Sequence, residues 1–101
     1  MKNGYEVRWT AHAVLELKEL FNYLEENWTE KEIRKFVHLL DETIGLISKF
    51  PLLFPSSIEK EYIRKAVIGK HNSLYYLVRD DTIEILSLHS NRKNPEDKKF
   101  N

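Results

Sequence analysis

The sequence contains no cysteine. Disulfides, thiol nucleophiles and cysteine-ligated metal sites are excluded by that single absence. Proline and glycine are also scarce, three of each in 101 residues, which excludes a collagen-like or low-complexity chain. No apolar run approaches the roughly 20 residues that a membrane helix needs. The opening Met1-Lys2-Asn3-Gly4-Tyr5-Glu6-Val7-Arg8 lacks the apolar centre of a secretory signal. Together these features predict a cytoplasmic protein with no membrane partner. Net charge is absent too, with sixteen Lys/Arg against sixteen Asp/Glu. A neutral chain does not hold nucleic acid by bulk electrostatics, because that affinity comes from cations neutralising phosphates. Only a local basic patch remains open to it.

What is present is a core-forming apolar fraction of 42% and a charged fraction of 32%. That combination, at this length, predicts one domain spanning 1–101 with a densely ionic surface. Residues 1–50 carry seven basic and nine acidic side chains, and residues 51–101 carry nine and seven. From Tyr62 to Arg79 there are four cations, Arg64, Lys65, Lys70 and Arg79, and no acid. The second half therefore reads as the working surface and the first as its scaffold.

Tyr5, Val7 and Trp9 alternate with Glu6 and Arg8, the period-two pattern of a strand with one buried face. Thr10 offers a helix N-cap. Ala13, Leu17, Leu20, Phe21 and Leu24 then recur at steps of three and four, the stripe of an amphipathic helix ending near Asn27. Thr29 and Glu32 match the capping box. Ile33, Phe36, Val37, Leu40, Ile44 and Ile47 continue the helical period to Lys49, where Phe50-Pro51 stops it. So short a link makes the two helices an antiparallel hairpin. After a loop between Pro51 and Pro55 come strands over Tyr62–Ile68, Leu74–Arg79 and Thr82–Leu88, joined by turns at Gly69-Lys70 and Asp80-Asp81. Short turns between apolar runs imply an antiparallel meander. The fold class is thus α+β: a helical hairpin on a small, mostly antiparallel sheet, in the order β-α-α-β-β-β. Its expected core is Val7, Leu17, Phe21, Ile33, Phe36, Leu40, Ile44, Tyr76 and Ile85. Residues 91–101 form a polar C-terminal tail.

Certain residues on this frame carry a family likeness. They are Tyr5-Glu6-Val7-Arg8-Trp9-Thr10 with Ala13, and Tyr23-Leu24 with Trp28. Ile47-Ser48-Lys49-Phe50-Pro51 and Phe54-Pro55 come next, then Ile63-Arg64-Lys65 with Tyr75-Tyr76-Leu77-Val78. Last is Asp81-Thr82-Ile83-Glu84-Ile85-Leu86 with His89, Arg92 and Pro95. In this order and spacing the chain resembles the RelE/ParE superfamily of toxins from type II toxin–antitoxin systems, also known as plasmid stabilisation proteins. The resemblance implies a growth-inhibiting toxin silenced by a cognate antitoxin. It also implies one of two targets: DNA gyrase, as in ParE-like members, or mRNA cut in the ribosome, as in RelE-like members. A relative that has lost activity and only binds antitoxin is a third reading. Fold alone does not decide among them.

RNA cleavage requires a group to take the 2′-hydroxyl proton, cations to stabilise the charged transition state, and a group to protonate the leaving oxygen. RelE-like enzymes meet these needs with sheet-borne Lys and Arg and often a late Tyr or His. Carried over, Arg64, His89 and Arg92 are the candidate catalytic residues if the chain cleaves RNA. Lys65, Lys70, His71 and Tyr75 are candidate target contacts. Each also has a plain alternative. A strand arginine is ordinarily a surface charge, and a histidine ending a strand is as often a packing residue. Strand alternation puts Lys65 on the face opposite Arg64, and one of Tyr75 and Tyr76 in the core with the other turned away. His12 and His38, on the helices, are assigned no role. No His/Asp/Glu spacing indicates a metal site, and no cofactor is implied. The neutral charge, and the lack of a dense lysine cluster beside Arg64, rank gyrase ahead of mRNA as the target.

Overall fold

The computed structural model describes residues 4–57, 60 and 62–90. The tail, with Arg92 in it, lies outside the described residues. Six elements succeed one another: β1 (Glu6–Trp9), α1 (Ala11–Asn27), α2 (Glu30–Lys49), β2 (Ile63–Ile68), β3 (Asn72–Arg79) and β4 (Thr82–Ser90). The four strands form one sheet in the order β1-β4-β3-β2. β1 runs parallel to β4, while the β2–β3 and β3–β4 pairs are antiparallel. No helix among the described residues is long and apolar enough to cross a membrane.

Both helices begin where the sequence places a cap. Thr10 Oγ1 accepts from the Ala13 amide at 3.2 Å and donates to the Ile85 carbonyl at 2.9 Å, so the residue that starts α1 is also bonded to β4. Thr29 and Glu32 form the full capping box: Glu32 N–H donates to Thr29 Oγ1 at 3.2 Å, and Thr29 N–H to Glu32 Oε1 at 2.9 Å. At its far end α2 is tied to the start of β1. The Tyr5 amide donates to the Ser48 carbonyl and Ser48 Oγ donates to the Tyr5 carbonyl, both at 2.8 Å. Gly4 permits this approach, since a Cβ there would lie 2.6 Å from Ser48 Oγ.

The helices cover one face of the sheet. Leu24, Phe36, Leu40 and Ile47 meet Ala66, Ile68, Leu74, Tyr76, Ile83, Ile85 and Leu88 in a single core. Phe36 and Leu40 are only 4% and 6% exposed. The expected core residues Val7, Leu17, Phe21, Ile33 and Ile44 pack against this cluster and are partly buried. Phe36 takes Phe21 and Trp28 edge-on, at centroid distances of 6.1 and 6.4 Å.

The strands differ from the sequence expectation at their ends. β3 starts two residues earlier, at Asn72, and β4 continues two residues longer, to Ser90. Asn72 and Ser73 pair with Ser90 and His89, so the polar residues at these ends are held by their cross-strand partners. Strand extent is set by that pairing more than by local propensity. In the short connection before β3, Gly69 takes φ 65°, and Asp80 takes φ 53° in the tight turn before β4. Both values lie in the left-handed region that such turns require.

One irregularity decides which face the end of β4 presents. Tyr75 pairs with Ser87, but Tyr76 pairs with Ile85, so Leu86 is an extra residue on β4. Such a bulge reverses the facing of every later side chain on its strand. Ile83 and Ile85 point to the helices, and so does Leu88, an odd number of residues on. Ser87 and His89 are thereby turned to the other face.

Stability should respond to two core positions. Leu40→Ala should lower the unfolding free energy by about 2–5 kcal/mol, read from denaturant midpoints, because it leaves a cavity beneath both layers. Tyr76 is fully buried and its hydroxyl donates to the Pro51 carbonyl at 2.7 Å. Tyr76→Phe should cost about 1–3 kcal/mol by leaving that buried acceptor unpaired. Burial also raises the Tyr76 pKa above its ordinary value, against a smaller opposing pull from the Arg64 charge. The folded state thus favours the neutral phenol. Its stabilisation is complete below about pH 10, the unfolded value, and is lost as pH rises through the folded one. Tyr76→Phe should flatten the alkaline loss of stability measured by chemical denaturation.

Candidate functional site

The face turned away from the helices carries Lys65, Tyr75, Ser87 and His89. Lys65, Tyr75 and Ser87 are successive cross-strand partners, and His89 pairs with Ser73 one step further along. The Tyr75 and His89 rings meet edge to face, with centroids 5.7 Å apart and planes at 71°. Lys65 Nζ lies 6.0 Å from the Tyr75 ring centroid, at the outer limit of a cation–π contact.

An acidic side chain from α1 completes the cluster. β1 ends at Trp9, opposite Ile85, so β4 continues to Ser90 with its outer edge unpaired by any strand among the described residues. Glu16 takes up that edge. Its Oε1 accepts from the Leu88 amide at 2.9 Å and from Ser87 Oγ at 2.7 Å. Its Oε2 lies 3.5 Å from His89 Nδ1 and 3.4 Å from His12 Nε2. His89 Nε2 is in turn 2.8 Å from Ser87 Oγ. The side chains of Glu16 and His89 are 16% and 24% exposed, against 63% for His12.

This arrangement fixes the imidazole at both nitrogens. With the Ser87 hydroxyl hydrogen on Glu16, Ser87 Oγ accepts from His89 Nε2–H. The second ring hydrogen, which only the imidazolium carries, then faces Glu16 Oε2. A ring so held stands between a hydroxyl and a carboxylate, the setting of a proton-transfer group.

The structure brings some of the sequence candidates together and separates others. His89, Tyr75 and Lys65 share one cluster. Lys70 and His71 are exposed in the turn before β3, next to the end of the sheet that carries His89. Arg64 is elsewhere. Its Nη1 donates to the Phe54 carbonyl at 2.7 Å, and it pairs across the sheet with the core residue Tyr76, on the helix-covered face. The loop that it holds runs beside β2, where Ser57 N–H donates to the Ile63 carbonyl and Lys65 N–H to the Pro55 carbonyl. Arg64 and His89 therefore do not act on one surface. Arg92 lies outside the described residues.

Glu16 and Ser87 were not singled out by sequence, and His12, assigned no role there, stands in the cluster. Glu16 did carry a signal: it falls three residues after Ala13 and four before Leu20, within the buried stripe of α1. An acid in that position needs a partner.

The family model for the ParE toxin of type II toxin–antitoxin systems, ParDE, matches residues 7–95 of the 101. The chain belongs to the ParE toxin family. Solved structures agree on the fold. One is the chromosomal ParDE toxin–antitoxin system of P. aeruginosa, at a TM-score of 0.71 and 15% identity, covering 88% of this chain and 98% of that one. A second is a copper-bound mutant toxin of Helicobacter pylori, with TM-score 0.60, 19% identity and coverages of 88% and 97%. A third is a conserved hypothetical protein of Helicobacter pylori, with TM-score 0.52, 19% identity and coverages of 87% and 96%. No curated protein sequence matches the chain. This ParE-family chain thus shares its two-helix, four-strand frame with proteins whose sequences differ from it at most positions.

The separation of the two faces is testable by NMR. Arg64→Ala should leave the His89 ring signals in place while lowering stability. Ser87→Ala should shift them, and unshifted signals in Ser87→Ala would refute the contact at His89 Nε2.

Proposed function

We propose that the chain is the toxin of a type II toxin–antitoxin pair, that it arrests growth by acting on DNA gyrase, and that a cognate antitoxin silences it. The family match supports the first part. The observation that favours gyrase over RNA is the placement of Arg64. Phosphodiester cleavage needs fixed cations around the developing charge. Arg64 Nη1 donates to the Phe54 carbonyl, and the residue pairs with Tyr76 on the helix-covered face, away from His89. Lys65, 6.0 Å from the Tyr75 ring, is the lysine set against the cluster. A target recognised as a protein surface makes no such demand. Leu46, Phe50, Leu52 and Leu53, exposed at and just beyond the end of α2, offer an apolar surface of the kind that a partner segment folds onto.

Ribosome-dependent mRNA cleavage is the second reading, and one observation favours it. His89 is hydrogen-bonded to a hydroxyl and set against a carboxylate, as a proton-transfer group is. In that reading His89 moves the proton and Lys65 faces the phosphate.

Induction in cells separates the two. Gyrase poisoning predicts filamentation and DNA-damage signalling with messages intact, retained toxicity in Arg64→Ala and His89→Ala, and relief on coexpressing the adjacent antitoxin gene. Cut messages in the wild type, with toxicity lost by about a hundredfold or more in His89→Ala, would replace gyrase by mRNA, since that much is expected when a general acid–base group is removed. A chain that arrests nothing but still co-purifies with the antitoxin would be a binding module without toxic activity.

A further inference from the structure

Four groups converge on one side-chain carboxylate, two as hydrogen-bond donors and two as histidines at ion-pair distance. They are the Leu88 amide, the Ser87 hydroxyl, His89 and His12, and the carboxylate is that of Glu16. Three of them belong to β4, and the strand presents them at the edge that β1 leaves unpaired. Their geometry is that of an oxyanion site: a main-chain N–H, a hydroxyl and two groups able to carry positive charge, aimed at one pair of oxygens. Lys65 lies on the same face, 6.0 Å from the Tyr75 ring.

We propose that this is a binding site for a phosphate-bearing ligand, and that Glu16 occupies it from within the chain until the ligand displaces it. Glu16 is held through its side chain alone, on a helix whose backbone makes no use of those donors. Swinging the side chain out therefore breaks no helix hydrogen bond. His12, at 63% exposure, lies on the solvent side of the carboxylate and marks the entrance. A phosphate can take the contacts of both Glu16 oxygens with two of its own, and it brings more negative charge to the two histidines than a second carboxylate does.

The test is titration of inorganic phosphate, and separately of acetate, into the wild type, Glu16→Ala and Glu16→Gln. It follows the Leu88 amide and the His89 ring by NMR. Removing the internal competitor should tighten phosphate binding by about tenfold or more, the equivalent of one hydrogen bond to a charged group. His89→Ala in the Glu16→Ala background should abolish that gain. Glu16→Gln keeps the shape and an acceptor for Leu88, so it reports on the site even if Glu16→Ala fails to fold. Phosphate affinity no higher in either Glu16 variant than in the wild type would overturn the proposal. Equal gains for acetate would overturn the choice of phosphate.

Discussion

On β4, Ile85 and Ser87 sit opposite neighbouring residues of β3, Tyr76 and Tyr75, and Leu86 between them has no counterpart on that strand. Much of the site depends on that single extra residue. In a regular strand Ser87 and His89 would continue the line of Ile83 and Ile85 into the core, two polar groups beneath a helix. With the bulge, Leu88 takes the core position, and His89 comes up beside Tyr75 and Lys65. A one-residue change in register carries a whole set of side chains from one face to the other.

Glu16 makes that placement stable. A half-buried carboxylate is costly unless its lone pairs are used, and an edge strand with an unpaired amide is a liability. The two problems have one solution here, because the Leu88 N–H and the Ser87 hydroxyl satisfy Glu16 Oε1. The path from strand to helix makes it possible. β1 pairs with β4 as far as Trp9, Thr10 bonds to the Ile85 carbonyl while capping α1, and Glu16 lies within the first two turns of that helix. The N-terminal strand and first helix therefore act as one continuous cover for the β4 edge, first by main chain and then by side chain.

Much of this fold was legible in the sequence. The stripes of α1 and α2, the caps at Thr10 and Thr29, the Phe50-Pro51 stop and the three-strand meander all arise from local patterns, and local patterns are what sequence shows. The alternation that divided Arg64 from Lys65, and Tyr75 from Tyr76, was legible for the same reason. The bulge was not, because Ile83-Glu84-Ile85-Leu86-Ser87-Leu88 reads as an ordinary strand whose extra residue only the partner strand reveals. Arg64 drew attention as a cation in an acid-free segment, yet its guanidinium is committed to a loop carbonyl ten residues earlier. Glu16 and Ser87 are 71 residues apart in the chain, so their bond belongs to the tertiary fold.

The ParE frame thus carries, on its helix-free face, a histidine whose surroundings are built by a strand irregularity and an acid from the first helix. Whatever the target, any chemistry or recognition at His89 starts from that geometry. The most direct measurement is the set of nuclear Overhauser contacts made by the His89 ring in the folded protein. Contacts to the Tyr75 ring, to Ser87 and to the Glu16 side chain are expected, with none to the Leu24 or Ile47 methyls. Contacts to those core methyls, with Leu88 turned outward, would contradict the bulged register and the site built on it.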